Sequence, residues 1–253
     1  TWSKTTISGG QHYNDTLPKP AFSHNYYKDV AVYAYPATDA VSTDDIKPII
    51  TSSVPDAEVQ FLADKNNKKG FGSSADCWIQ YAFKQPFTCR NITIRVNSSN
   101  YQAERLIVEI SDDGKNFHRA TRLEPPRSGW QDNDADNTFA IPPVTAKYFR
   151  FVYNKTGTEP GAEDNEAAKW KPALKLSGIK LSSEPVLNQY QAKNGEVWRV
   201  AARTTTAEIP DNLCVQKDKL INLTGKLAAN GRLNWDAPAG NWDILRRGHT
   251  TTG

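Results

Sequence analysis

The chain has 253 residues, of which 38% are hydrophobic and 23% are charged, and its formal net charge is +3. This composition is typical of a globular protein whose length allows one large domain or two small ones. Lysine and arginine form no long block of the kind that displaces counterions from nucleic acid, and no apolar run approaches the ~18 residues that cross a bilayer. The sequence therefore predicts neither a nucleic-acid partner nor a membrane partner.

The pattern of cysteines and the absence of methionine give further information about the kind of protein. Cys77, Cys89 and Cys214 have neither CxxC nor Cys/His ligand spacing, so the sequence predicts buried free thiols rather than a zinc site or a disulfide framework. The chain contains no methionine, and a strand-like run near its end stops abruptly. These features favour a segment of a longer protein.

The first predicted strand lies at the end of residues 1–36. Residues 29–36 hold a continuous apolar run without alternation, which predicts a strand covered on both faces. Residues 37–70 are polar and contain Pro48 and Pro55, so we expect them to connect rather than to form a strand.

Alternating apolar residues predict several strands between residues 70 and 183. Ile79, Tyr81 and Phe83 share one face of the first of these strands, because successive side chains in a strand point to opposite faces. The same period of two predicts further strands at residues 92–96, 106–110 and 148–153.

Glycines mark two irregularities in this region. Asp113-Gly114 follows a strand directly and predicts a tight turn, because glycine tolerates a positive φ. Between residues 174 and 181 the apolar phase reverses at Gly178, which predicts a β-bulge there.

The last third continues the β pattern, and helical signals are few, the best lying at residues 164–170. Strands are predicted at residues 196–200, 231–235 and 242–246. Short strands at ~8–12-residue spacing predict an all-β fold, an antiparallel β-sandwich with flanking strand segments. We expect a lead-in at 1–36, the sandwich at 37–183, and a β-rich return segment at 184–253. Tryptophans in alternating patterns are predicted to be core residues: Trp78, Trp198, Trp235 and Trp242.

Three phrases resemble the discoidin-type, galactose-binding-like module. They are residues 76–81 (DCWIQY), 107–117 (IVEISDDGKNF) and 146–151 (AKYFRF). The resemblance implies a jelly-roll sandwich.

A second resemblance covers nearly the whole chain. Residues 27–32, 126–132, 168–172, 240–246 and 248–253 are similar to the segment that precedes the catalytic glutamates in glycoside hydrolase family 106, the α-L-rhamnosidases. The resemblance implies a secreted, periplasmic or cell-surface bacterial enzyme that performs calcium-assisted, inverting hydrolysis of terminal α-L-rhamnose on a (β/α)8 barrel. It implies two partners, a rhamnose-containing polysaccharide and the catalytic barrel, and it places the acid and the base outside this chain.

Trp130 and Trp170 are the candidate sugar-contacting tryptophans, because both lie in polar, turn-rich surroundings. Aromatic rings stack on sugar faces, while Arg127, Gln131 and Asp132 offer hydrogen bonds to hydroxyl groups. The alternative is that both tryptophans pack against the absent barrel.

His249 and an acidic loop complete the candidates. In the intact enzyme His249 would lie near the barrel junction, where it either contacts substrate or is a structural histidine. Acidic residues alternate along 132–136, which allows a structural calcium ion or a solvated loop. The EF-hand pattern fails because Asn137 and Pro143 occupy its glycine and glutamate positions. We predict no catalytic residue, no metal ligand and no required cofactor in the chain.

Three functions are compatible with these features. The first is a non-catalytic accessory domain of an α-L-rhamnosidase-like enzyme. The second is an independent carbohydrate-binding module, and the third is a discoidin-type adhesion or protein-interaction module. Glycan affinity separates the first two, and an exposed apolar patch of several hundred Å² would indicate the third.

Overall fold

The computed structural model describes residues 1–97, 105–124, 136–155, 173–193 and 209–251. The chain forms two compact units, unit 1 from residues 1–39 and 209–253 and unit 2 from residues 40–208. Every strand pair in the described residues is antiparallel, so the predicted all-β class is confirmed.

The strands that the structure describes are Trp2–Ser8 (β1), His12–Thr16 (β2), Lys28–Pro36 (β3), Ile49–Ser52 (β4), Phe71–Ser73 (β5), Cys77–Val96 (β6), Ile107–Ser111 (β7), His118–Arg122 (β8), Asp136–Tyr153 (β9), Leu174–Ser182 (β10), Ile221–Asn222 (β11), Arg232–Asp236 (β12) and Asn241–His249 (β13). The helical turns are the 3-10 segments Gln60–Ala63, Asp211–Leu213, Lys217–Lys219 and Thr224–Lys226, and the short α-helix Tyr190–Lys193 (α1). No helix in these residues is long and apolar enough to cross a membrane.

Unit 1 joins the two ends of the described chain in one sheet. Its strand order is β1-β13-β3-β11, and a separate two-stranded sheet pairs β12 with β2. Side chains of both sheets meet in one core, which contains Val32, Ile244, Leu233 and Trp235. The Trp235 ring packs edge-on against Trp242 at 5.5 Å between centroids. Burial of each such side chain stabilises the unit by about 1.5–3 kcal/mol.

The predicted strand at residues 29–36 corresponds to β3, in which residues 31 to 35 are buried or half-buried on both faces. The sequence treats 1–36 and 184–253 as separate flanking segments, whereas the structure pairs β3 and β1 with β13 across more than 200 residues. Local hydrophobic patterns carry no information about such distant partners.

Unit 2 is an antiparallel β-sandwich built on a seven-stranded sheet. Its sheet has the order β5-β10-β6-β9-β7-β8, and β4 also pairs with β6. The 20-residue β6 and the 18-residue β9 are irregular in the middle. One half of β6 therefore pairs with β4 and the other half with β10. Phe83 and Phe87 lie at the first register shift of β6, and their rings stack at 4.7 Å between centroids.

The core of unit 2 lies between the inward faces of these strands. Ile79, Tyr81 and Phe83 all point into it, as predicted. The Tyr81 hydroxyl donates a hydrogen bond of 2.8 Å to the backbone carbonyl of Ile179. This bond joins β6 to β10 through the buried interior.

Two predicted backbone irregularities are confirmed. The register between β10 and β6 shifts between Leu176 and Gly178, where the sequence predicts a bulge. Gly114 has a φ of 71° in the turn after β7. The Asp113 carboxylate accepts hydrogen bonds from the backbone N–H groups of Lys115 and Asn116, and these bonds hold the pKa of Asp113 well below its ordinary value.

Two predictions about unit 2 are wrong. Residues 37–70 contain a strand, β4, whose single inward residue Ile50 gives too weak a pattern to detect. Trp78 is half-buried on the outer face, because strand alternation places it opposite Ile79. Trp235 and Trp242 are buried as predicted, while Trp198 and the predicted segments 164–170 and 196–200 lie outside the described residues.

Candidate functional site

The structure describes one of the six predicted glycan-contacting residues. His249 is exposed and is the last residue of β13. The other five candidates lie outside the described residues: Arg127, Trp130, Gln131, Asp132 and Trp170.

His249 forms an exposed aromatic pair with Tyr26. The ring centroids are 5.8 Å apart, and the Tyr26 hydroxyl lies 3.3 Å from Nε2 of His249. Tyr26 is 45% exposed. The Cα atoms of His249 and Lys28 are cross-strand partners, so an exposed ammonium side chain shares the face of the histidine. We call Tyr26 and His249 the aromatic pair.

A tight turn places Tyr26 beside β13. The Tyr26 N–H donates to the Ser23 carbonyl at 3.1 Å, and the two central residues, His24 and Asn25, have φ values of 51° and 55°. Two positive φ values are the pattern of a type I′ turn, and residues other than glycine adopt them infrequently. Thr250 fixes this turn from the other strand, since its hydroxyl donates to the Tyr26 carbonyl at 2.7 Å.

Tyr27 lies under the turn and is held on several sides. Its hydroxyl donates to Asp29 at 2.7 Å, and Arg246 makes a two-pronged ion pair with the same carboxylate, both distances being 2.8 Å. Burial, and next the hydrogen bond to Asp29, raise the pKa of Tyr27 to about 12. The Arg246 bonds hold the pKa of Asp29 below its ordinary value. We call Tyr27, Asp29 and Arg246 the supporting network.

Phe22 extends the aromatic surface next to Tyr27. It is 44% exposed, and its centroid is 6.2 Å from that of Tyr27. The Lys19 ammonium lies 5.2 Å from the Phe22 centroid. Exposed rings beside imidazole, hydroxyl and ammonium groups offer both an apolar face and hydrogen-bonding groups, which is the mixture that binds sugars.

The described residues contain no group of three or more His, Cys, Asp or Glu side chains that could hold a metal ion. Asp136, the last residue of the predicted acidic loop, forms a two-pronged ion pair with Arg95 at 2.8 and 3.1 Å. The rest of that loop lies outside the described residues, and the structural calcium ion stays a prediction.

The carboxyl groups of the described residues that have a clearly shifted pKa are stabilised in the ionised form. Where their pKa departs clearly from the ordinary value, it is lowered, as for Asp29, Glu58 and Asp113. A general acid that protonates a glycosidic oxygen needs a raised pKa instead.

Residues of the three discoidin-like motifs meet on the outer face of unit 2. The Arg150 guanidinium lies between two rings, 3.5 Å from the Phe117 centroid and 4.6 Å from the Trp78 centroid. It also donates to Gln80 at 2.9 Å. The turn around Gly114 folds back so that Phe117 covers the arginine, and these residues therefore stabilise the sheet.

Sequence reasoning missed Tyr26, Tyr27, Phe22 and Lys19. The available signal was the dense aromatic stretch at residues 22–27 (FSHNYY), which is polar between its rings and lacks strand alternation. The contact with His249 spans 223 positions, so no local pattern could reveal it.

Comparison with known proteins finds one matching family and three individual proteins that are similar to parts or all of this chain. A family model described as alpha-L-rhamnosidase, that of glycoside hydrolase family 106, matches residues 1–253. A rhamnosidase from Novosphingobium sp. PP1Y is similar in structure over 98% of this chain, with a TM-score of 0.64 and 24% identity. The chain spans only 23% of that rhamnosidase, and the similarity concerns the fold.

The other similarities are more limited. A protein of Formosa agariphila, provisionally named a beta-glucuronidase, is 50% identical over 48 residues, which are 19% of this chain and 4% of that protein. A pectin-binding carbohydrate-binding module covers 54% of this chain and 91% of its own, with 16% identity and a TM-score of 0.36. That score is too low to support a conclusion.

Proposed function

Because this chain belongs to glycoside hydrolase family 106, the α-L-rhamnosidase family, we propose that it is a non-catalytic accessory part of a larger enzyme. In this proposal the chain packs against the catalytic barrel and contacts a rhamnose-containing glycan. The enzyme is bacterial and acts outside the cytoplasm, at the cell surface, in the periplasm or after secretion.

Two carboxyl groups, those of Asp29 and Asp113, are unsuited to the role of the general acid. Inverting hydrolysis needs one protonated and one ionised carboxyl group about 6.5–9.5 Å apart. The clearly shifted carboxyl groups in the described residues are stabilised in the ionised form, Asp29 by Arg246 and Asp113 by backbone N–H groups. Neither group suits the acid role at neutral pH.

The exposed aromatic pair is the single observation that carries the glycan contact. Tyr26 and His249 present their rings at the surface, where part of the apolar area of each ring stays in contact with water. A turn with two positive φ values places Tyr26 there, and such backbone strain clusters at functional sites. A sugar ring stacked on this pair would cover part of the exposed apolar area and would bond to the imidazole.

A second proposed glycan contact is a predicted loop together with one further tryptophan. The residues concerned are Arg127, Trp130, Gln131, Asp132 and Trp170. The support for this contact is the sequence alone. The two contacts are tested separately, since each has its own variants.

Calorimetric titration with rhamnose-containing pectic oligosaccharides tests the proposal. We expect saturable binding by the full chain, at least tenfold weaker affinity for Tyr26→Ala, and a further loss for Trp130→Ala. Leu220→Ala is the matched control, because Leu220 is 42% exposed in the same unit and should leave the affinity unchanged. Parallel titrations with calcium and with a chelator test the predicted ion.

The outcomes separate the candidate functions. No heat at millimolar oligosaccharide would refute glycan contact by this chain. Submicromolar affinity would indicate an independent carbohydrate-binding module instead of an accessory part. Release of nitrophenol from nitrophenyl α-L-rhamnoside by the chain would contradict the non-catalytic proposal.

A further inference from the structure

We infer that Tyr27 is a positioning residue, locked by Asp29 and Arg246, that sets the orientation of the aromatic pair. The inference rests on the proposed function only where glycan affinity is concerned. Its geometric part concerns Tyr26 and His249 alone and is tested without any ligand.

Tyr27 fills the space between the turn and β13. A β-carbon at Gly248 would lie 2.5 Å from two ring atoms of Tyr27 and 2.6 Å from the Lys28 carbonyl oxygen. Contacts below 3.0 Å force a neighbour to move. The Tyr27 ring therefore packs directly on the backbone of Gly248, the residue before His249.

The supporting network removes the freedom of the Tyr27 ring to rotate away. Its hydroxyl is bonded to Asp29, and Asp29 is itself fixed by both prongs of Arg246. The Arg246 side chain is only 5% exposed, and its remaining prong donates to the Leu17 carbonyl at 2.7 Å. The network thus extends from Leu17, in the buried core of unit 1, to the ring of Tyr27.

The position of Tyr27 determines where its chain neighbour Tyr26 can lie. Tyr26 follows a turn with two positive φ values, and its 45% exposed ring contacts His249. Because Gly248 and Tyr27 touch, His249 and Tyr26 are held on either side of the same contact. Loss of the Tyr27 ring should separate them while most of unit 1 stays folded.

The test uses nuclear Overhauser contacts between the Tyr26 and His249 rings, together with the ring-current shift of His249, in the full chain. Tyr27→Leu should abolish the contacts and shift the His249 signals. Tyr27→Phe keeps the ring on Gly248 but loses the bond to Asp29, so its contacts should be weaker than in the wild type and stronger than in Tyr27→Leu. A general loss of stability would not distinguish the two variants in this way.

Asp29→Ala and Asp243→Ala form a matched pair. Asp243 also has a bonded carboxylate, which accepts from Thr6 at 2.6 Å and lies 3.3 Å from Lys4. It is six residues from His249 on β13, about 20 Å along the strand. Asp29→Ala should weaken the ring contacts, and Asp243→Ala should leave them unchanged.

Affinity for the pectic oligosaccharides supplies the second measurement. We expect Tyr27→Leu to weaken it at least fivefold and Tyr27→Phe to weaken it by a smaller factor. Unchanged ring contacts in Tyr27→Leu would overturn the inference. If the wild-type chain binds no oligosaccharide, the proposed function fails, but the ring contacts still decide whether Tyr27 positions the pair.

Discussion

The hydroxyl of Tyr81 offers a sharp test of the sandwich in unit 2. Tyr81 has an exposed fraction of 0%, and its hydroxyl bonds to the Ile179 carbonyl at 2.8 Å. Burial raises the pKa of Tyr81 well above its ordinary value, so the hydroxyl stays protonated and donates at every physiological pH. Tyr81→Phe removes this donor and keeps the ring.

The expected cost follows from the buried geometry. The net contribution of a hydrogen bond is about 0.5–1.5 kcal/mol, and a buried acceptor left without its partner costs about 1–3 kcal/mol. Because the ring remains, no cavity forms. We expect a loss of about 1.5 kcal/mol, which corresponds to about 3–6 °C in Tm for a unit of this size.

Urea unfolding measures this cost when it is followed at the methyl signals of Ile92 and Leu181, which report on unit 2 alone. Tyr148→Phe is the control, since Tyr148 is half-buried on the outer face. A midpoint for Tyr81→Phe equal to that of the wild type would refute the bond through the core. A loss above about 4 kcal/mol would show that packing, not the hydrogen bond, had changed.

Three further predictions concern local features. Gly114→Ala should destabilise unit 2 by about 1–2 kcal/mol in urea unfolding, because φ is positive there and the new β-carbon would lie 3.0 Å from the Tyr148 ring; an unchanged midpoint would contradict the turn. Asp113→Asn should lower Tm at pH 7. Since folding lowers the pKa of Asp113, its contribution is fully present above the unfolded pKa of about 4 and is lost progressively as the pH falls from there towards the lower folded pKa. Wild type and variant should therefore converge in strong acid. The sequence predicts three buried thiols, and this is wrong for Cys214, which is exposed. In the native chain Cys214 should react with a thiol reagent at least tenfold faster than the buried Cys89, whose pKa burial raises to about 12. Equal rates would contradict the fold around Cys89.

The strands of unit 2 are predictable because each buries one face. Apolar residues therefore recur at every second position of the sequence. Ile79, Tyr81 and Phe83 show the pattern, and the phase reversal at Gly178 even predicts the bulge. Trp78 was misassigned because a large aromatic residue suggests a core position, although the alternation itself places it outside. The Trp78 ring packs against Arg150, which lies in β9 and is not visible as a neighbour in the sequence around Trp78.

Unit 1 was harder to predict because its pairing is non-local. The sequence shows the strand pattern of β3 and of β13, but nothing in either segment specifies that they are neighbours. The same reason applies to the candidate site. The resemblance to the rhamnosidases pointed to His249, whereas Tyr26 and Tyr27 gain their roles only when the turn meets β13.

Backbone amide shifts during titration with the rhamnose-containing oligosaccharide locate the proposed glycan contact on the folded chain. We expect saturable shifts at residues 22–28 and 248–251, and we expect Tyr26→Ala to remove them. Saturable binding that leaves both segments unshifted would contradict a glycan contact at the aromatic pair.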